Sequence, residues 1–226
     1  MAAKVLIVDD HPMMREGLRT LISREGDLTV CGEAETTGQA LDALTNLNPD
    51  LVLADIALPG RGGVDLIKDI RALRPAVLVL VISMHDELLY AERALRAGAR
   101  GYITKQEATR KVMQAIRAVL QGNIYLSEKL LSRLTAKIVG RRSPGGLAVD
   151  ALTDRELRVF EMLGQGHSTR QIARQLRLHM RTIETYRARI KQKLHLNGAS
   201  DLLQHAIRWT DRGSGKHYNK IRLPLY

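Results

Sequence analysis

Five short apolar runs alternate with segments of helical periodicity along residues 1–122, and this alternation constrains the fold more than any other feature. Apolar runs of this length are typical of strands that are buried on both faces. Strands that alternate with helices form βαβ units, so we predict a five-stranded, doubly wound parallel sheet, an α/β fold. The predicted strands cover residues 4–8, 28–31, 50–56, 77–82 and 101–104, and helices are predicted from Pro12 onward and over 37–47, 64–73, 88–97 and 108–121.

Polar side chains stand where four of these five runs end. They are Asp9 and Asp10 after the first run, Asp55 at the carboxyl end of the third, Ser83 after the fourth and Lys105 after the fifth. Right-handed crossovers bring the carboxyl ends of parallel strands to one edge of a sheet, so we expect these side chains to lie together. Taken singly they have ordinary explanations, because aspartate and serine cap helices and lysine is usually solvated. Their coincidence at four strand ends favours a shared site.

The chemistry of that edge fits a cation and a phosphoryl group. Mg²⁺ prefers oxygen ligands, which Asp9, Asp10 and Asp55 can supply together with a loop carbonyl. A carboxylate can attack phosphorus and form an acyl phosphate, and we therefore predict that Asp55 is a phosphate acceptor. In that reaction Lys105 would neutralise one phosphoryl oxygen, and the Ser83 hydroxyl would donate to another.

Charge is distributed unevenly over a chain whose formal net charge is +11. Residues 1–125 carry 15 Lys and Arg against 16 Asp and Glu, whereas residues 126–226 carry 20 against 8. A neutral half joined to a strongly basic half predicts that only the second half meets a polyanion. A basic helix at a membrane surface is the competing interpretation, but the basic half has no strongly apolar, aromatic-bearing helix face.

Cysteine content and hydropathy bear on the compartment. The single cysteine, Cys31, excludes an internal disulfide framework and favours a reducing cytosol, so we expect a cytoplasmic protein. No apolar run approaches the roughly 18 residues of a membrane span, and the first strand follows Met1 too closely for a signal peptide. The chain shows neither a nucleophile–base pair nor a glycine-rich nucleotide loop, so we expect no enzyme.

The basic half contains four helical segments in quick succession. Capping boxes at residues 153–156 and 168–171 start the first two, and the others are predicted over 181–194 and 199–209. Short helices joined by a tight turn indicate a helix-turn-helix, whose base-rich third segment suits the major groove of DNA. A solvated helix with charged outer positions is the alternative. Ahead of these segments, the amphipathic stretch 127–139 is either a linker helix or a dimer seam.

Residues 1–122 resemble the receiver domain of bacterial response regulators, the phosphoacceptor domain of two-component signalling. The resemblance rests on four motifs, which are VDDH at 8–11, DIALPG at 55–60, SMHD at 83–86 and GARGYITK at 98–105. It implies that Asp55 is the phosphoacceptor and that Ser83 and Lys105 contact the phosphoryl group. It also implies a Mg²⁺ site and an aromatic switch residue, with Asp9, Asp10, Asp55 and the Ala57 carbonyl as metal ligands and Tyr102 as the switch.

Three positions within this resemblance bear on how closely the chain follows it. Tyr102 is also consistent with a half-buried aromatic residue of a strand. Leu58 stands where receivers usually carry methionine, a change that conserves volume. Gly62 stands where they often carry aspartate or asparagine, and the additional glycine is expected to loosen the loop after Asp55.

The basic half is similar to the LuxR-type helix-turn-helix of the NarL/FixJ subfamily. The match consists of LTDRE at 152–156, Gly166, QIA at 171–173, RTIETYR at 181–187, Ile190 and KL at 193–194. The resemblance implies DNA contact from the third helix and dimerisation through the fourth. We predict that four residues lie near bases: Arg181, Glu184, Thr185 and Ala188. We predict that five lie near phosphates: Thr182, Arg187, Arg189, Lys191 and Lys193.

These interpretations divide the chain into four regions. We predict a phosphoacceptor receiver domain over 1–122, a linker helix and flexible linker over 123–148, a DNA-binding domain over 149–210 and a tail over 211–226. The tail contains Gly-Ser-Gly, which has the composition of an artificial linker, and we assign it no function.

Together the two resemblances imply a phosphorylation-dependent transcriptional regulator. A histidine kinase would phosphorylate Asp55 in the presence of Mg²⁺, and a homodimer would then bind an inverted-repeat site on double-stranded DNA. RNA polymerase is a further candidate partner. The alternative is a regulator that binds DNA without phosphate control and uses its receiver fold for protein or ligand contacts.

Overall fold

A five-stranded parallel sheet forms the centre of the first of two units, 1–146 and 147–226, in the computed structural model of the chain. The structure describes residues 2–59, 62–84, 87–138 and 148–213. The strands are β1 (Ala3–Val8), β2 (Leu28–Ala34), β3 (Leu51–Ala54), β4 (Leu78–Ser83) and β5 (Gly101–Thr104). Their order across the sheet is β2-β1-β3-β4-β5, and every neighbouring pair is parallel. The predicted α/β fold is confirmed.

Five helices follow the five strands along the chain. They are α1 (Pro12–Ile22), α2 (Thr37–Leu47), α3 (Gly63–Leu73), α4 (Glu87–Ala97) and α5 (Lys105–Leu120). The prediction for α2 is confirmed, whereas α5 begins at Lys105, three residues earlier than predicted. Thr104 keeps an extended backbone ahead of it, and Glu107 falls in the first turn, where a negative charge is favoured.

Three strands also differ in length from the prediction, and β1 does so by one residue at its start. β2 continues to Ala34, because β1 offers it pairing partners as far as Val8. β3 ends at Ala54, because the chain then turns towards α3 and the Gly63 N–H donates to the Ile56 carbonyl. As a result, Asp55 lies just beyond the end of its strand.

The core of this unit is mainly aliphatic, with Tyr90 and Tyr102 as its buried aromatic side chains. Ile7 on β1, Leu53 on β3 and Ile116 on α5 belong to one cluster of fully buried side chains. Each such side chain contributes about 1.5–3 kcal/mol by leaving water. The strand ends that carry the polar residues are therefore held by a close-packed core.

Helix α6 (Glu128–Ile138) completes the described part of the first unit. The second unit consists of a 3₁₀ turn (Ala148–Ala151) and the helices α7 (Asp154–Gly164), α8 (Thr169–Leu176), α9 (Met180–Lys193) and α10 (Ala199–Gly213). Both predicted capping boxes are present, at the starts of α7 and α8. The α10 helix is longer than predicted and includes the first residues of the predicted tail. The rest of that tail and the predicted flexible linker at 140–146 lie outside the described residues.

The second unit is held together by close contacts between α7 and α10. The rings of Phe160 and Trp209 pack with their centroids 5.5 Å apart. Gly164 lets the helices approach, because a Cβ there would lie 2.0 Å from Thr210 Oγ1 and 2.5 Å from the Ala206 carbonyl oxygen. The turn between α8 and α9 uses Arg177 in the left-handed region, with φ 52°. The first two contacts hold α7 against α10, and the turn at Arg177 ends α8 before α9 begins.

Among the helices that the structure describes, no segment is both long enough and apolar enough to span a membrane.

Candidate functional site

The predicted phosphoryl-site residues lie at the carboxyl ends of four strands of the sheet. Asp9 follows β1 and Asp55 follows β3, and these strands pair with Val8 opposite Ala54. Ser83 ends β4 and is fully buried, and the register places it opposite Thr104. Lys105, the first residue of α5, is therefore brought to the same edge. The topology of the sheet accounts for this arrangement, because all four strands run in the same direction.

The Lys105 ammonium lies between two buried carboxylates. Its Nζ is 2.6 Å from Asp9 Oδ2 and 2.7 Å from Asp55 Oδ2, and the three side chains are 7%, 3% and 1% exposed. Burial acts to lower the pKa of Lys105, but the neighbouring charges and hydrogen bonds of Asp55 and Asp9 outweigh it and raise the pKa above its ordinary value. Lys105 is consequently a fixed positive charge throughout the neutral range.

The second oxygen of Asp55 is also engaged. Asp55 Oδ1 accepts a hydrogen bond of 2.9 Å from the backbone N–H of Ala57. The carboxylate is thus oriented from both sides, by Lys105 and by the loop that follows β3. The proposed part of the Ala57 carbonyl in metal binding stays a prediction.

The turn after β1 is fixed by a residue that sequence reasoning missed. Arg15 is buried and donates from Nη1 to the Asp9 carbonyl at 2.7 Å, while its Nε lies 3.4 Å from Glu33 Oε2. The burial of Arg15 could have been predicted from its position on α1. It stands three residues before Leu18 and seven before Ile22, on the apolar face of the helix. A cation on such a face requires partners, and these hold the Asp9 backbone in place.

His11 is a second residue of the site that the sequence did not single out. Its backbone N–H donates to Asp9 Oδ1 at 2.9 Å, which closes the turn. Its ring Nδ1 lies 2.9 Å from Asp10 Oδ1 and 3.1 Å from Asp9 Oδ1. His11 directly follows the two aspartates, so its proximity to them was visible in the sequence. The direction in which its ring points could not be predicted from the sequence.

The donor set at this edge suits a hard divalent cation. One ligand atom from each of Asp9, Asp10, His11 and Asp55 lies within 4.8 Å of the others. Asp10 Oδ1 is buried and accepts no hydrogen bond from the described residues; His11 Nδ1 is close to it but not aligned for one. Three carboxylates facing one lysine leave net negative charge, which a cation would offset. The acidic residues therefore fit a Mg²⁺ ion, with oxygen ligands from Asp9, Asp10 and Asp55.

Two glycines determine how closely α3 approaches Asp55. A Cβ on Gly63 would lie 2.2 Å from the Asp55 carbonyl oxygen and 2.5 Å from Ile56 Cα. Gly62 has φ 82°, a conformation that glycine adopts at no steric cost. Both glycines thus meet a steric requirement. The predicted loosening of the loop concerns residues that include 60 and 61, which lie outside the described residues.

Tyr102, the predicted switch residue, is buried on β5 with 1% of its surface exposed. Tyr102 is therefore a fully buried rather than half-buried aromatic residue of its strand, and burial alone does not distinguish a structural role from a switch. Its backbone N–H donates to the Tyr125 carbonyl at 2.9 Å, so the segment after α5 pairs with this strand. Its role as a switch stays a prediction.

Helix α9 presents a basic face on one side and an apolar face on the other. Ile183 and Ile190 are fully buried against the unit. Five of the residues with predicted base or phosphate contacts are exposed, and they are Arg181, Glu184, Thr185, Ala188 and Arg189. Thr182 and Lys191 are half-buried. The helix is therefore built to expose the side chains that would enter a groove.

Glu184 and Arg187, two of the predicted DNA contacts, are hydrogen-bonded to each other and to α8. Glu184 Oε1 accepts from Arg187 Nη1 at 2.9 Å and from Thr169 Oγ1 at 3.0 Å. Arg187 Nη1 also donates to Thr169 Oγ1 at 2.7 Å. This network joins α8 to α9, so Glu184 and Arg187 position α9 in addition to any contact with DNA.

Lys193, a predicted phosphate contact, forms an ion pair with a buried carboxylate. Its Nζ is 2.6 Å from Oε2 of Glu156, which also accepts from the Thr153 N–H in the capping box of α7. Burial acts to raise the pKa of Glu156, but the hydrogen bonds from Lys193 and Thr153 outweigh it and lower the pKa below its ordinary value. Lys193 thus ties the end of α9 to the start of α7.

This pair predicts a pH dependence of stability. Because the pKa of Glu156 is lowered in the folded state, its contribution is present at neutral pH and is lost as the pH falls through the folded-state value. We expect Glu156→Gln to cost about 1–2 kcal/mol at neutral pH, and this difference from the wild type to shrink on acidification. Urea unfolding followed by the fluorescence of Trp209, the only tryptophan, measures it. A difference that stays constant between pH 7 and the acid range would contradict the assignment.

Comparisons with known proteins agree with both halves of the chain. The sequence model of the response regulator receiver domain matches residues 5–117. The model described as bacterial regulatory proteins, luxR family, matches residues 150–206. The first match covers the sheet and its polar edge, and the second covers the helix-turn-helix.

Similar proteins extend over almost the whole chain. The response regulator GacA of Pseudomonas aeruginosa is 32% identical over 205 residues, which are 91% of this chain and 95% of that protein. The transcriptional activator protein ExaE of Pseudomonas putida is 35% identical over 203 residues, 90% of this chain and 95% of that protein. Among solved structures, RcsB of Salmonella enterica, bound to a promoter with the phosphomimetic BeF3−, is 25% identical, with a TM-score of 0.63 over 91% of this chain and 98% of that one.

Proposed function

This chain belongs to the response regulators that join a receiver domain to a LuxR-type helix-turn-helix domain, and on that premise we propose that phosphorylation of Asp55 controls its binding to DNA. Among the similar proteins, ExaE is a transcriptional activator and GacA a response regulator. The proposal adds the acceptor residue, the cation and the direction of control. We assign its domains as predicted, with the receiver over 1–122 and the DNA-binding domain over 149–210.

The main support for the acceptor is the position of Lys105 between the buried carboxylates of Asp9 and Asp55. In the proposed transfer, an Asp55 oxygen forms a bond to phosphorus while the bond from phosphorus to the donor's leaving group breaks. The electron pair of that bond departs with the leaving group. Lys105 Nζ, already 2.7 Å from Asp55 Oδ2, then donates to a phosphoryl oxygen, and the Ser83 hydroxyl donates to another.

The Mg²⁺ ion, when bound, supplies positive charge that lowers the repulsion between the carboxylate and the incoming phosphate. Asp9, Asp10 and Asp55 would hold it, and Arg15 keeps the Asp9 backbone in place for that purpose. The usual phosphodonor in this proposal is a partner histidine kinase.

The proposed output is binding of a homodimer to an inverted-repeat site on double-stranded DNA. RcsB was solved bound to a promoter in the presence of a phosphomimetic, which supports both DNA as ligand and phosphorylation as signal. Leu203 and Ile207 lie four residues apart on α10 and are 43% and 39% exposed, so this helix offers an apolar surface for a second copy. RNA polymerase is a further proposed partner. A cytoplasmic location is proposed with it, since the DNA of a bacterium lies there.

The proposed DNA contacts divide by what they touch. Arg181 and Thr185 are exposed on the face of α9 opposite its buried isoleucines, and side chains there reach base edges when a helix enters the major groove. Arg189 and Lys191 lie further along the helix, where contacts with phosphates fix the register. Ala188, with its small side chain, allows close approach. Glu184, Arg187 and Lys193 serve the packing of the unit as well.

The test of the acceptor is labelling of the full chain with radioactive acetyl phosphate in the presence of Mg²⁺. We expect the wild type to incorporate label, and Asp55→Asn to fall to background, because the amide is a poor nucleophile. Asp42→Asn, on the exposed side of α2, is the matched control and should label normally. Label retained in Asp55→Asn would disprove the acceptor. No label in the wild type would favour a regulator that binds DNA without phosphate control.

A further inference from the structure

The segment between α5 and α6 lies against the outer edge of the receiver sheet. The Tyr125 carbonyl accepts from the Tyr102 N–H at 2.9 Å, and the Tyr125 N–H donates to the Arg100 carbonyl at 3.0 Å. This single parallel bridge extends the sheet beyond β5 at Gly101. Gly101 permits the close approach, because a Cβ there would lie 3.0 Å from the Tyr125 carbonyl oxygen and 2.8 Å from Leu80 Cδ1. The edge of β5 is therefore covered by the chain's own backbone at this point.

Two residues further on, Ser127 is held by a buried glutamate. Glu87, the first residue of α4, is 9% exposed, and its Oε1 accepts from the Ser127 N–H at 3.0 Å. Its Oε2 accepts from the Ser127 hydroxyl. The same hydroxyl oxygen accepts from the Leu130 N–H at 3.2 Å, as a residue that caps a helix does. Leu130 is 1% exposed, so the first turn of α6 packs against the unit.

We call Glu87 and Ser127 the linker clamp. Its carboxylate receives both donors of one residue, a two-pronged geometry that fixes orientation as well as distance. The clamp could not be predicted from local sequence patterns, because the two residues are 40 positions apart. The clamp joins the start of α4 to the start of α6, the last helix described before the second unit.

Both attachments of this segment lead back to the phosphoryl site. Glu87 stands four residues after Ser83, which ends β4 at the carboxyl edge. Tyr102 stands on β5, which ends at Thr104, opposite Ser83. Lys105 follows directly as the first residue of α5. A phosphoryl group on Asp55 that draws Ser83 and Lys105 towards its oxygens therefore pulls on both β4 and β5. The two attachments of α6 would move with them.

We propose that the start of α4 and the outer edge of β5 form a docking surface for residues 124–130, and that the linker clamp transmits the state of Asp55 to α6. The inference rests on the proposed function, since it requires phosphorylation to change DNA binding. It identifies Glu87 and Ser127 as positioning residues of the signal, with no contact to the phosphoryl group.

The experiment compares full-length Glu87→Gln and Ser127→Ala with the wild type. Ser127→Thr, which keeps the hydroxyl, is the rescue variant, and Ser132→Ala, on the exposed side of α6, is the matched control. The probe is a duplex that the wild-type chain selects from a randomised DNA pool. For each protein, labelling by acetyl phosphate, the DNA affinity with and without it, and the hydrogen exchange of residues 124–131 are measured.

We expect all variants to label like the wild type. In the wild type, phosphorylation should change both the DNA affinity and the exchange of residues 124–131. In Glu87→Gln and Ser127→Ala, the ratio of the two DNA affinities should fall to within about twofold of one, whereas Ser127→Thr and Ser132→Ala should keep the wild-type ratio.

The inference is overturned if Glu87→Gln and Ser127→Ala keep the wild-type ratio of affinities while the wild type responds to phosphorylation. If the wild type itself shows no response, the proposed function fails and the inference fails with it. If only Ser127→Ala loses the response and Glu87→Gln keeps it, the serine acts as a cap of α6 alone, and the clamp is also overturned.

Discussion

Replacing Lys105 with methionine is expected to lower the free energy of unfolding of the first unit by about 3 kcal/mol in EDTA. Asp9 Oδ2 and Asp55 Oδ2 would lose the cation that lies within 2.7 Å of each, in surroundings where both carboxylates are at most 3% exposed. Methionine preserves the volume of the side chain, so the loss reflects charge. Saturating Mg²⁺ should restore part of it, because a cation held by the same carboxylates offsets their repulsion.

Urea unfolding followed by far-ultraviolet circular dichroism, in EDTA and in Mg²⁺, measures this effect. The fluorescence of Trp209 reports on the second unit and should not change. Lys111→Met is the matched control, because Lys111 lies on the same helix and pairs with Glu107 at the surface, and its midpoint should stay at the wild-type value. If Lys105→Met loses the same free energy of unfolding in EDTA and in Mg²⁺, then the Lys105 ammonium and Mg²⁺ do not bind the same carboxylates.

Gly63→Ala is expected to cost about 3 kcal/mol and to slow phosphorylation of Asp55 roughly 100-fold. The new Cβ would lie 2.2 Å from the Asp55 carbonyl oxygen and 2.5 Å from Ile56 Cα. Both are backbone atoms, which cannot rotate aside as a side chain can. Either α3 or the Asp55 segment must shift, and a shift of the Asp55 segment misplaces the nucleophile relative to Lys105.

The matched control for this substitution is Gly17→Ala in α1. No heavy atom lies within 4 Å of its added Cβ, so alanine should stabilise the helix by about 0.5–1 kcal/mol. We expect the free energy of unfolding to fall for Gly63→Ala and to rise for Gly17→Ala. This difference would separate the effect of the close approach at Gly63 from the general effect of replacing a helical glycine. If Gly63→Ala unfolds and labels like the wild type, the claim that a Cβ at position 63 displaces the Asp55 segment is contradicted.

The fold and the meeting of the strand ends could be predicted because both depend on periodicity and chain direction. Apolar runs predicted five strands, and parallel topology then required Asp9, Asp55 and Lys105 to approach one another. Element ends were less accurate. Lys105 closes a strand by hydropathy alone, but the structure makes it the first residue of α5.

Contacts between residues that are distant in the chain could not be predicted from the sequence. Arg15 could have been found from its place on an apolar helix face, whereas its partner, the Asp9 carbonyl, depends on a rotamer. The contact of Glu87 with Ser127 depends on how the segment after α5 folds back over β5, which no local pattern encodes. Likewise, a charged helix face predicted DNA contacts for Lys193 but gave no sign that it pairs with buried Glu156.

The central claim is that the state of Asp55 sets the affinity for DNA. Its most direct test is the DNA affinity of the full chain with and without acetyl phosphate and Mg²⁺, at fixed salt because phosphate contacts make affinity steeply salt-dependent. We expect phosphorylation to raise the affinity of the wild type about tenfold. Asp55→Asn should show no rise, and Arg189→Ala should bind more weakly in both states while keeping the rise. Equal affinity of the wild type in both states, or a rise that persists in Asp55→Asn, would contradict the claim.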